Sequence, residues 1–217
     1  MAVRPEREAV VKVVSHNYMK SNLLIVFVKN AVQGKVKTRL SKTIGESNAL
    51  IIYKQLLTLT QNAVNEVSSN VHIYFSDTLE QHNWRANATF VQKGEDLGER
   101  MFNAFRNGFE LGYKNIVLIG SDLPEISADI IHKGFESLSG TNVVFGPSED
   151  GGYYLIGLSQ MISAIFTNKP WSQNHLLKDT LEDLSQEKIE VTLIDTLNDI
   201  DTFDDLKSHP NLLKLIE

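Results

Sequence analysis

The chain has 217 residues, a formal charge of −6 and 42% apolar residues, which suits one α/β domain burying roughly 70% of its unfolded surface without staples. It has no cysteine, which excludes disulfides, thiolate zinc sites and cysteine nucleophiles. Its mild acidity argues against nucleic-acid and membrane-surface binding, and no apolar run approaches the roughly 20 residues that span a bilayer.

Residues 1–20 are polar with short Val runs and lack the apolar core of a secretory signal. They read as an extension of unknown role before a single domain over 21–217, and a cytoplasmic location is expected. The continuous apolar run 23–28 predicts a strand buried on both faces. Apolar positions 49, 52, 53, 56, 59, 63, 64 and 67 predict an amphipathic helix over 46–67. Strands are expected at 71–75 and 89–92. Leu97, Met101, Phe102, Phe105 and Phe109 then carry a helical stripe that Gly112 ends. A strand at 115–119 precedes a helix over 127–138 with Ser127 as its N-cap. Strands at 143–145 and 153–158, a helix at 173–185, a strand at 189–194 and a helix from 202–207 follow, with 212–216 continuing it after Pro210. Alternating helices and strands predict a three-layer αβα sandwich around a mostly parallel sheet, with ligands beyond the strands' C-terminal ends.

Polar clusters stand where those strands end. Lys29 to Leu40 follows the first strand, and 29–42 holds five basic residues and no acid. Gly34 allows a tight turn, and Lys29, Lys35, Lys37 and Arg39 are candidate phosphate binders. A solvated basic loop is the competing reading. The run Gly94-Glu-Asp-Leu-Gly-Glu-Arg100 reads as a helix cap, Asp96 with Glu99. The flanking Gly94 and Gly98, with Arg100, also suit close approach to a nucleotide. Ser121 and Asp122 follow the strand at 115–119, where a carboxylate projects into the crevice. A turn before Pro124 explains Asp122 equally well. Asp150, Gly151, Gly152 and Tyr153 form either a hairpin turn or a substrate-binding loop. Asp201 is either a helix cap or a second metal ligand facing Asp122. Trp171 is a candidate acceptor contact.

In order, Lys29…Gly34-Lys-Val-Lys-Thr-Arg-Leu40, Gly94-x-Asp-Leu-Gly-x-Arg-Met101, Gly120-Ser-Asp-x-Pro124, Gly146-Pro-x-x-Asp-Gly-Gly-Tyr-Tyr154 and Asp199-Ile-Asp-Thr202 resemble the bacterial glycosyltransferase-A-like proteins. These are relatives of the 2-phospholactate and molybdenum-cofactor guanylyltransferases. The chain departs from many relatives in having no Pro after Lys29-Asn30-Ala31, and it lacks the opening loop of ordinary sugar-nucleotide pyrophosphorylases. The resemblance implies a nucleotide-diphospho-sugar transferase fold with a seven-stranded mixed sheet. It also implies a nucleoside triphosphate or nucleotide sugar as ligand, and Mg²⁺ or Mn²⁺ held by Asp122 and Asp201. The expected activity is metal-dependent glycosyl transfer from a nucleotide sugar to a small-molecule acceptor, with Asp122 and Asp150 as catalytic residues. The alternatives are nucleotidyl transfer to a small phosphorylated metabolite and non-catalytic nucleotide binding.

Overall fold

The computed structural model describes residues 21–217, so the expected extension 1–20 lies outside the described residues. The apolar runs form strands β1 (Asn22–Val28), β2 (Asn70–Phe75), β3 (Ala88–Val91), β4 (Asn115–Ile119), β5 (Val143–Pro147), β6 (Tyr153–Leu158) and β7 (Val191–Leu193). They make one mixed sheet in the order β3-β2-β1-β4-β6-β5-β7. Strands β1 to β4 pair in parallel, and β5 pairs in parallel with β7. Strand β6 alone runs antiparallel, between β4 and β5. This is the expected three-layer αβα sandwich.

Alternate residues of β1 enter different layers. Leu24, Val26 and Val28 join a core with Ala63 and Val64 of α2 (Glu46–Glu66), Val67 at its C-terminal cap, and Ile131 and Phe135 of α4 (Ala128–Ser137). Leu23, Ile25 and Phe27 pack on the other face with Met101 and Phe105 of α3 (Leu97–Glu110) and Leu177 and Leu184 of α5 (Leu176–Gln186). The expected caps are present. Asp96 accepts from the Glu99 amide at the start of α3, and Ser127 accepts from the Ile130 amide at the start of α4.

Helix α1 (Thr38–Ile44) emerges from what the sequence presents as loop. Its N-cap residue, Lys37, makes no side-chain cap bond, and Gly45 ends it after seven residues, so it carries little of the usual signature. Helix α5 begins three residues later than expected, because turns at Pro170–Gln173 and Gln173–Leu176 precede it. After α6 (Phe203–Lys207), Pro210 opens α7 (Pro210–Leu213) instead of interrupting a helix.

A third apolar cluster fixes the site's edges. Leu40 of α1, Ile52 and Leu56 of α2, Ile200, Leu206 of α6 and Leu212 of α7 pack together. They hold the segment 197–202 against the basic loop. Leu206 is fully buried there. Leu206→Ala is expected to lower unfolding free energy by about 2–5 kcal/mol in urea titrations, the range for emptying a well-packed leucine site.

Candidate functional site

Strand β1 lies between β2 and β4. The chain leaves β1 and β4 on the same edge of the sheet, so the loops after them flank a crevice of the kind that receives ligands in open α/β sheets. Asn30, 4% exposed, ties the loop after β1 to the turn after β2. Its Oδ1 accepts from Ser76 Oγ and the amides of Asp77 and Thr78, and its Nδ2 donates to the Thr78 carbonyl at 2.9 Å. Tyr53 of α2 completes the frame. Its hydroxyl accepts from the Lys29 amide, donates to the Lys29 carbonyl, both at 3.0 Å, and shares a hydrogen bond with Ser121 Oγ at 3.2 Å. Burial pushes the Tyr53 phenol far above its ordinary value.

Lys37 is the centre of the site. Its side chain is 4% exposed, and its Nζ lies 3.0 Å from Asp122 Oδ2 and 3.9 Å from Asp199 Oδ2. Its backbone adopts φ 46° and ψ 48°, a left-handed conformation that a non-glycine residue seldom takes and that clusters at functional sites. Two residues on, Arg39 Nη1 donates to Asp201 Oδ2 at 2.6 Å. Two basic residues spaced by two thus meet two acids spaced by two. Asp201 is engaged by Arg39, and Asp199 is the acid that shares a cation with Asp122. The sequence gives Asp199 a place in the Asp199-Ile-Asp-Thr202 motif but no site role, and it gives Tyr53 none. The signals were an acid two residues before Asp201 and a tyrosine within an apolar stripe, whose hydroxyl needs a partner when buried.

The electrostatics follow from this packing. Burial alone would raise the Asp122 carboxyl, but the charge and hydrogen bond of Lys37 outweigh it and hold the group below its ordinary value. Asp199 is pushed up to about 6, first by burial and then by the charge of Asp122, with Lys37 opposing and Asp150 and Asp201 adding to the rise.

Asp122, Asp150, Asp199, Asp201, Lys29 and Arg39 line one cavity of about 450 Å³, together with Gly152, Tyr153 and Trp171. The other expected site residues find partners within the chain or stand on the loop surface. Gly34 turns the loop with φ 78°, and Lys35 is exposed. Arg100 Nε donates to the Gly94 carbonyl, and Asp96 caps α3. Ser121 is buried against Tyr53. Asp150 Oδ1 accepts from Ser148 Oγ and the Gly152 amide, so it braces its own hairpin loop while lining the cavity. Gly151 has φ 88°, and a Cβ there would lie 1.9 Å from the Asn174 carbonyl oxygen.

The donor set fits a hard divalent cation. Asp122 and Asp199 already converge on one positive point. Among the described residues no cluster of three or more His, Cys, Asp or Glu forms a protein cage. Two carboxylates with substrate phosphates completing the shell is the usual arrangement for Mg²⁺.

A family model described as "Uncharacterized protein conserved in bacteria (DUF2064)" matches residues 58–173, more than half of the chain. The chain belongs to this family. No curated protein sequence matches it. Among solved structures, a protein from Desulfovibrio desulfuricans G20, provisionally named a nucleotide-diphospho-sugar transferase, is similar with 26% identity and a TM-score of 0.80, covering 91% of this chain and 99% of its own. The 4-diphosphocytidyl-2C-methyl-D-erythritol synthase of Anaerococcus prevotii DSM 20548 has 11% identity and a TM-score of 0.58, with 90% and 98% covered. Rv0371c of Mycobacterium tuberculosis H37Rv, in complex with manganese, has 13% identity and a TM-score of 0.50, with 89% and 99% covered. The fold is therefore that of the glycosyltransferase-A and nucleotidyltransferase superfamily. No helix among the described residues is long and apolar enough to cross a membrane.

Asp199 gives the metal-free protein a distinctive pH dependence. A carboxyl raised from 3.8 to about 6 favours folding fully below about pH 4, and that contribution is lost as pH rises through about 6. Asp122, shifted down, acts in the opposite sense and loses its contribution as pH falls. In urea titrations with chelator present, the stability of Asp199→Asn relative to the parent should rise by roughly 2–3 kcal/mol from about pH 4 to about pH 7. A flat difference would contradict the raised value. Tyr53→Phe should cost about 1–3 kcal/mol in the same assay, by leaving the Lys29 amide without its acceptor.

Proposed function

We propose that this chain is a metal-assisted nucleotidyltransferase. It joins the nucleoside monophosphate part of a nucleoside triphosphate to an oxygen nucleophile on a small acceptor and releases pyrophosphate. The carrying observation is the pair Asp122 and Asp199 converging on one cationic point beside a loop rich in Lys and Arg. Displacement at an α-phosphorus makes strong demands on two metal-binding carboxylates and on positive charge around the phosphates. The acceptor oxygen forms its bond to the α-phosphorus as the bond to the bridging oxygen breaks, and negative charge grows on the departing pyrophosphate.

Lys29 and Arg39, which line the cavity, bind phosphate oxygens and offset that charge. Lys37, already poised between two acids, adds a third cation. Asp122 and Asp199 would hold Mg²⁺ or Mn²⁺, which when bound neutralises charge on the triphosphate. The manganese complex of Rv0371c and the diphosphocytidyl product in the name of the Anaerococcus enzyme support this reading. Glycosyl transfer is the second reading, supported by the name given to the Desulfovibrio protein. It asks for a base on the acceptor hydroxyl. Asp150, the candidate from sequence, is held by Ser148 and the Gly152 amide through one carboxylate oxygen, and the product named for the Anaerococcus enzyme favours nucleotidyl transfer.

Thermal-shift titration with nucleoside triphosphates and nucleotide sugars, with and without Mn²⁺, separates the two readings. A metal-dependent rise with a triphosphate, accompanied by pyrophosphate release, is the expected result. Asp122→Asn should reduce pyrophosphate release on the order of 100-fold while retaining the native circular dichroism spectrum. Asp199→Asn should be impaired more than Asp201→Asn. Stabilisation by nucleotide sugars alone, with donor hydrolysis, would support glycosyl transfer instead.

A further inference from the structure

The cavity lining has a charged part and an apolar part. The charged part is Lys29 at the start of the basic loop and Arg39 of α1, with Asp122, Asp199 and Asp201. The apolar part is Leu97 with Met101, Leu118, Ile156, Tyr153 and Trp171, the last five belonging to one apolar cluster. Leu97, the first residue of α3, is 45% exposed although it faces this hollow.

Trp171 is a fixed wall of the apolar part. A Cβ on Gly98 would lie 2.3 Å from the Trp171 ring, so the ring rests directly on the start of α3. The segment bearing it is pinned on both sides. Lys169, its side chain 1% exposed, pairs with Asp183 of α5, and the Leu177 amide donates to the Gly151 carbonyl. Gly98 is thus explained by ring clearance, and the half-buried indole is left with a surface bordering the cavity.

Tyr153 supplies the second observation. Its ring packs against Phe145 at 4.8 Å, and its hydroxyl is buried with no hydrogen-bond partner among the described residues. With its hydroxyl closed off, Tyr153 offers the cavity its ring.

We propose that the apolar part receives the uncharged body of the acceptor, which is therefore an amphiphile. Its anionic or hydroxyl end lies toward the charged lining of the cavity. Its ring or branched hydrocarbon body lies against Trp171, Leu97, Met101 and the ring of Tyr153. This deepens the reading of the cavity as the transferase site and rests on it. A polyol phosphate would leave the apolar wall uncovered, whereas an aryl or cycloalkyl phosphate would cover it.

Calorimetric titration with phenyl phosphate, cyclohexyl phosphate and glycerol 1-phosphate tests this. The two ring-bearing esters should bind at least about tenfold more tightly than glycerol 1-phosphate. Trp171→Ala should narrow that ratio to about threefold or less. Leu97→Ser, at a half-exposed position that does not threaten folding, should narrow it in the same direction. Equal binding of the three esters, no binding of any, or an unchanged ratio in Leu97→Ser would overturn the proposal. Triphosphate binding with Mn²⁺, measured in parallel, keeps the two readings apart. Triphosphate binding without ester preference defeats only the amphiphile. Ester preference without triphosphate binding upholds the apolar subsite and defeats nucleotidyl transfer.

Discussion

A nearly inaccessible ammonium between two carboxylates is the constraint around which this edge of the sheet is organised. Lys37 cannot be buried as a charge unless acids come with it, since an unpaired ammonium away from water is strongly disfavoured. Asp122 arrives from the end of β4, and Asp199 from the segment after β7. Three stretches far apart in sequence are thereby obliged to meet. Each carboxylate then feels the other: one is held ionised by the lysine, and the other is pushed towards its neutral form.

The surrounding structure keeps that meeting in register. Tyr53 braces both ends of the crevice at once, through the Lys29 backbone and Ser121. Asn30 fastens the same loop to the turn after β2. The apolar cluster of Leu40, Ile52, Ile200, Leu206 and Leu212 brings the C-terminal helices onto α1 and α2. An isolated parallel bridge between Ser148 and Leu197 carries the last sheet strands toward the site. Chemistry on one edge is therefore backed by hydrophobic packing beneath it.

Much of this frame was legible in the sequence. Strands buried on both faces announce themselves as unbroken apolar runs, so β1, β4 and β6 emerge close to their expected bounds. The caps at Asp96 and Ser127 were equally visible, because capping is a local interaction. What stayed hidden was non-local. Asp199 and Asp201 flank the buried Ile200 and both line the cavity. Which acid reaches Lys37 and which reaches Arg39 depends on a loop some 160 positions earlier in the chain, and no local pattern encodes that. Gly98 was visible as an anomaly within a cap, but its cause is an indole from beyond β6. Helix α1 is short and uncapped by side chains, so neither propensity nor periodicity announced it.

The single reversed strand has a wider consequence. Because β6 runs against its neighbours, it begins on the edge where they finish. Its first residue, Tyr153, and the hairpin before it reach the cavity directly. The parallel strands deliver the charged end of the site, while β6 and the segment after it deliver Tyr153 and Trp171. The two deliveries share almost no side chains. Insertions or exchanges in the hairpin and the Trp171 segment would reshape what the molecule accepts while sparing how it grips charge, so one reaction could be inherited intact as its clients diverge.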